Sequence, residues 1–188
     1  MEKQEYIKQY LQETNQIAQT IDQAKILAVI DILSQIKAQN GRVFFVGVGG
    51  GAGTGSHSAN DFNKMAKIQT LCLTDNVSLL TALTNDQGWE SVFSSQMQMH
   101  NFNSNDCLFI YSVGGGSETT SKNLVLAIDY AKQQKGKIVG VVGKDTGYTA
   151  QMADACIIVP NVDQSRITAH TEDWQMIVDH LIVNLLCS

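Results

Sequence analysis

The chain has 188 residues, 44% of them hydrophobic and 16% charged, with one proline, fifteen glycines and a formal charge of −5. This length suits one domain, which buries on the order of 70% of the surface its unfolded form exposes and so needs neither disulfides nor a structural metal to hold a core. Thirteen basic against eighteen acidic side chains, with no run of Lys or Arg, argue against nucleic acid or an anionic membrane as a partner.

Met1 to Lys8 carries charges of both signs and lacks the apolar stretch of an export signal, and no window reaches the roughly 18 apolar residues of a membrane span. Cys72, Cys107, Cys156 and Cys187 lie at least 31 residues apart without a C-x-x-C pair, and three sit in apolar runs. The expectation is a cytoplasmic protein whose cysteines are reduced core residues. From Lys3 to Lys37, Ile7, Leu11, Ala18 and Ile21 and then Ile26, Ile30, Leu33 and Ile36 recur at helical spacing. This predicts two helices, or one broken helix, in an N-terminal segment over residues 1–38. Leu27, Val29 and Ile32 lie off the stripe, so the helix packs on two sides, and the second side is expected to be a subunit interface.

The remaining chain, 42–188, reads as an α/β core, and residues 1–188 as one domain. Apolar runs at Val43 to Val48, Thr70 to Thr74, Cys107 to Val113, Lys137 to Gly143 and Ala155 to Pro160 predict strands, continuous rather than alternating, as in a parallel sheet covered on both faces. Helices are predicted at Gly55 to Ala66, Val77 to Leu83, Trp89 to Met99, Glu118 to Gln134, Thr146 to Ala153 and Glu172 to Leu186. The alternation predicts a doubly wound five-stranded parallel sheet flanked by helices.

Two loops carry the ligand signal. The first strand ends in Gly47-Val48-Gly49-Gly50-Gly51-Ala52-Gly53 ahead of a helix, where a backbone can approach a ligand closely, and Gly49 and Gly50 are candidate contacts. Gly47, Gly49 and Ala52 also meet the dinucleotide fingerprint with Asp75 as its acid, a pattern that a glycine-rich stretch meets easily. The third strand ends in Gly114-Gly115-Gly116 among five hydroxyl residues, Ser112, Ser117, Thr119, Thr120 and Ser121. One helix cap needs one hydroxyl, so five point to a phosphate held without a lysine, a loop for which a dinucleotide site has no use. Separately, His57 and Asp61 stand at i and i+4 on a predicted helix, share a face and can bind one divalent ion.

In these segments the chain resembles the sugar isomerase (SIS) domain family and, within it, the phosphoheptose isomerases. The likeness runs from about Asn40 to the C-terminus: the first glycine loop, His57 ten residues after Gly47, Asp61 four beyond, Thr74-Asp75, Asn85-Asp86-Gln87-Gly88 with Phe93, Ser112 to Ser121, Gly143-Lys144-Asp145-Thr146-Gly147, and Glu172 with His180. Three departures stand out: Asp61 replaces a glutamate, Glu172 a glutamine and Val48 an asparagine.

The resemblance implies the SIS fold, a homo-oligomer, expected to be a tetramer, and a phosphosugar substrate. It implies interconversion of sedoheptulose 7-phosphate and D-glycero-D-manno-heptose 7-phosphate through an enediol, serving heptose biosynthesis for lipopolysaccharide or capsule. Asp61 and His180 become the catalytic base and acid. His57, Asp61, Glu172 and His180 become ligands of one zinc, with His170 as substitute for Glu172, because eight helical residues rise about 12 Å. Asn85 and Asp86 are expected on sugar hydroxyls. The changes at Asp61 and Glu172 leave an alternative, a non-catalytic module that binds sugar phosphates as a sensor or assembly subunit.

Overall fold

In the computed structural model, which describes residues 2–187, each apolar run of the sequence is a strand. Helices α1 (Lys3–Thr20) and α2 (Gln23–Ala38) lead into β1 (Arg42–Gly47), α3 (Gly50–Asp61), β2 (Gln69–Cys72), α4 (Val77–Gln87), α5 (Val92–Met99), β3 (Cys107–Ser112), α6 (Lys122–Gln133), β4 (Lys137–Val142), α7 (Tyr148–Met152), β5 (Ala155–Ile158) and α8 (Ile167–Cys187). Local chemistry sets several of the starts. Asp22 caps α2 by accepting from the Ala24 and Lys25 amides at 2.9 and 3.2 Å, and Asn76 caps α4 through the Leu79 amide at 3.0 Å.

The strands form one parallel sheet in the order β2-β1-β3-β4-β5. Successive side chains enter opposite cores, which explains the continuous apolar runs. Val43, Phe45, Phe109 and Tyr111 pack with α2 and α8, whereas Phe44, Val46, Leu108 and Ile110 pack with α5 and α6. Each fully buried Phe stabilises the fold by roughly 1.5–3 kcal/mol relative to exposure. Strand order reverses between β1 and β3, and the crevice outside their carboxyl ends is where such folds bind ligands.

The main departures from expectation fall beside that crevice. Helix α3 starts at Gly50, five residues before its predicted start, because Gly49 takes a positive φ of 62° and the glycines after it form the first turn. The predicted extension to Ala66 is a wider π-helical turn over Phe62–Ala66, which buries Phe62. Helix α6 starts at Lys122, so the hydroxyl residues form a loop, with Ser121 left-handed at φ 53°. Helix α8 starts at Ile167 rather than Glu172.

Cys72, Cys107 and Cys156 are free and buried, with burial pushing the Cys156 thiol up to about 12, whereas Cys187 is exposed and not a core residue. No helix among the described residues is long and apolar enough to cross a membrane.

Candidate active site

At the switch point, the backbone of α3 meets the end of β3 so closely that a Cβ on Gly51 would overlap the Tyr111 carbonyl. Gly50 faces α8, where a Cβ would overlap the Glu172 carboxylate. Glu172 is half-buried and makes no hydrogen bond or ion pair among the described residues. A pyrophosphate at this helix start would meet that carboxylate, so the dinucleotide reading has no seat. Gly49 and Gly50 border the crevice as neutral backbone.

The second loop does build a cup. Ser117, Thr120 and Ser121 line a cavity of about 290 Å³, together with Gly114, Gly116, Lys144, Thr146 and Gly147.

 Its two walls interlock. The Tyr148 and Thr149 amides donate to the Gly116 and Gly115 carbonyls at 3.0 and 2.8 Å, and Ser112 Oγ accepts from the Gly115 amide at 3.0 Å. Ser112 therefore shapes the loop from behind and does not line the cup. Thr119 also stands outside it, 3.4 Å from Ser117 Oγ. Glu118 turns away, 78% exposed and 3.6 Å from Lys122, so it places no negative charge in the cup.

One expectation changes here. Lys144 lines the cup and has no ion-pair partner among the described residues, so the loop has a cation after all. Its signal was the Gly143-Lys144 turn, which carried no role until folding brought it against a loop almost thirty residues away. Asn85 and Asp86 sit exposed in the last turn of α4, bonded to each other at 2.8 Å, and do not line the cup.

The imidazoles converge as the spacing implies for His57 and the resemblance for His180. His57 Nε2 lies 3.1 Å from His180 Nε2 and 3.1 Å from Asp61 Oδ2, and His180 Nε2 lies 3.7 Å from the same oxygen. Ligand atoms about 2.0–2.2 Å from a tetrahedral zinc stand roughly 3.3–3.6 Å from one another, so these three fit one ion and leave a side open, as three-ligand zinc sites do. The second carboxylate oxygen, Asp61 Oδ1, accepts from Asn60 at 2.8 Å.

Glu172 is not in this group, which among the described residues comprises His57, Asp61 and His180. Because α8 begins at Ile167, Glu172 is held in regular helix two turns from His180 and is turned onto Gly50. Nor does His170 substitute for it. His170 is buried with Nε2 2.8 Å from Glu13 Oε2, and Arg166 holds the same carboxylate at 2.6 and 2.8 Å. The Arg166 hydrogen bonds lower the Glu13 carboxyl to about 2, against the opposing effect of burial.

Behind the imidazoles lies a buried polar set. The Tyr111 hydroxyl donates to Asp179 Oδ1 at 2.8 Å and accepts from Ser58 Oγ at 3.1 Å, a donor that Ser58 shares with the Thr54 carbonyl at 2.8 Å. Burial pushes the Asp179 carboxyl up, against hydrogen bonds from Ser58 and Tyr111.

Residues 5–143 match the SIS domain family. The chain is 32% identical over 157 residues to the phosphoheptose isomerase of Rhodospirillum rubrum, covering 79% of each protein. It is 27% identical to that of Aneurinibacillus thermoaerophilus, over 97% of this chain and 92% of the other. The structure of phosphoheptose isomerase from Neisseria gonorrhoeae shares the fold with a TM-score of 0.85 at 24% identity, covering 97% of each chain. His57, Asp61 and His180 thus converge in a chain whose family match over residues 5–143 and whose 32% identity to a phosphoheptose isomerase show that it belongs to the SIS domain family, in its phosphoheptose isomerase branch.

Proposed function

We propose that this chain interconverts sedoheptulose 7-phosphate and D-glycero-D-manno-heptose 7-phosphate. The observation that carries the reading is the convergence of His57, Asp61 and His180 on one point. Aldose–ketose exchange moves a proton between adjacent carbons and another between their oxygens, and so needs a base and an acid within reach of both. Asp61 is the carboxylate of the group and takes the carbon-bound proton, giving an enediol, then returns it to the neighbouring carbon. His180 passes the second proton between the sugar oxygens from Nε2. A nitrogen that ligates a metal carries no proton, so this role belongs to His180 when its Nε2 is free.

His57, Asp61 and His180 are the residues that would hold a divalent ion, zinc by their nitrogen and oxygen donors. Such an ion, when bound, supplies Lewis-acid polarisation of the substrate carbonyl. The phosphate is assigned to Ser117, Thr120, Ser121 and Lys144, whose hydroxyls and ammonium all donate to anionic oxygens. Conversion of the ketose to the aldose, followed by NMR with zinc supplied, tests the reading. Appearance of the aldose is expected, and its absence under those conditions would overturn the assignment.

The partner is a second copy of the chain. Leu27 on α2 and Ile177 and Leu181 on α8 are 57%, 42% and 40% exposed and border one apolar cleft of about 400 Å³. An apolar patch of this kind favours association. Light scattering is expected to give an oligomer, with a tetramer the assigned state, and a monomer mass at micromolar concentration would contradict it.

A further inference from the structure

The imidazoles meet only if α3 and α8 keep their places, since His57 and Asp61 ride on one helix and His180 on the other. Much of the contact between the two is apolar: Ala59 and Phe62 share a core with Trp174, Val178 and Ile182. Apolar packing is non-directional, so it holds helices together more firmly than it fixes their rotation. A directional link lies beneath it. Ser58 follows His57 and Asp179 precedes His180, and neighbours in a helix point about 100° apart. Both turn inward, each fully buried, and both meet the hydroxyl of Tyr111 on β3.

This link has a cost. Asp179 Oδ2 is buried without a partner among the described residues, an arrangement less stable than a well-packed apolar side chain. Core stability therefore does not account for it, whereas placement of its neighbours does. We infer that Tyr111 is a positioning residue whose hydroxyl, through Ser58 and Asp179, sets the separation and orientation of His57 and His180. Groups hydrogen-bonded to metal ligands commonly act in this way, and here the link reaches the ligands through the adjoining residues of each helix. The inference rests on the isomerase reading only for its consequence in turnover.

The decisive variant is Tyr111→Phe, which keeps the ring stacked 4.7 Å from Phe109 and removes only the hydroxyl. In crystals of metal-free protein, the 3.1 Å separation of the two Nε2 atoms is expected to widen, or the rings to adopt several arrangements, while circular dichroism stays that of the parent. An unchanged separation would overturn the inference. Titration with Co²⁺ supplies a spectroscopic readout that a merely structural role would not move. The variant is expected to bind about 10- to 100-fold more weakly with altered visible bands, and to lose kcat with KM little changed. Asp179→Asn, which keeps the accepting oxygen, should retain the parent's Co²⁺ affinity. Loss in Asp179→Asn with none in Tyr111→Phe would assign the effect to charge and overturn the inference. If the parent bound no Co²⁺, the metal reading would fail, and the metal-free crystals would still decide this one.

Discussion

Helix α8 carries two histidines, each beside a carboxylate from another helix, and they differ in what completes them. His170 is 2% exposed and shares Glu13 with Arg166, so a permanent cation balances the carboxylate and the set ties α1 to α8. His180 is half exposed and meets Asp61 and a second imidazole, with no Lys or Arg in an ion pair there among the described residues. The first group has its carboxylate charge balanced and is structural, although His170 Nδ1 is buried without a partner among the described residues. The second presents three electron-pair donors to a common point and is completed by a proton, an ion or a substrate.

Breaking each group should therefore damage different properties. The largest effect is expected from Asp61→Asn or His180→Gln, each lowering kcat by about 100- to 10,000-fold with phosphosugar affinity little changed. Equal loss of affinity would place these residues in binding instead. In the structural group, Arg166→Ala leaves Glu13 without its guanidinium and should lower stability. Denaturant melts read that loss, and Co²⁺ affinity should stay that of the parent. A smaller effect belongs to the cup: Ser117→Ala and Thr120→Ala should each weaken phosphosugar binding by about 1.5 kcal/mol, roughly tenfold, without changing the melt. Unchanged binding in both would remove the loop from the site.

The smallest effect sharpens the contrast through pH. Glu13 has its carboxyl lowered to about 2 in the fold, below an unfolded value near 4.3. Between these values the unfolded chain binds more protons, so the contribution of Glu13 is complete above about pH 4.5 and is lost as pH falls toward 2. The parent's melting temperature should therefore fall more steeply than that of Glu13→Gln over this window. Parallel curves would deny Glu13 the role.

The contrast also marks what could be read from the chain alone. Strand positions were legible because Val43 to Gly47 and Cys107 to Tyr111 are buried on both faces, which leaves no charged positions to blur them. The pairing of His57 with Asp61 was legible because it is local, four residues on one helix. The start of α8 was not, because Ile167-Thr168-Ala169-His170-Thr171 has weak apolar periodicity, and the resemblance that put Glu172 in the metal set does not show that regular helix turns it onto Gly50. The start of α3 was hidden by glycines, which are poor helix formers. His170 entered as a substitute ligand because of the rise between Glu172 and His180, and its true partner Glu13, 157 residues away in sequence, was invisible to local spacing. Lys144 was visible as a residue and not as a wall of the cup, since only the folded turn brings it there.

The central claim is that the group on α3 and α8 moves a carbon-bound proton of a phosphosugar. Its most direct test is exchange in D₂O, with sedoheptulose 7-phosphate and zinc supplied to the parent and to Asp61→Asn, followed by NMR at the carbon next to the carbonyl. The account predicts deuterium at that carbon with the parent and almost none with Asp61→Asn, although both bind the phosphosugar. Exchange at the parent's rate in Asp61→Asn, or no exchange in the parent, would contradict it.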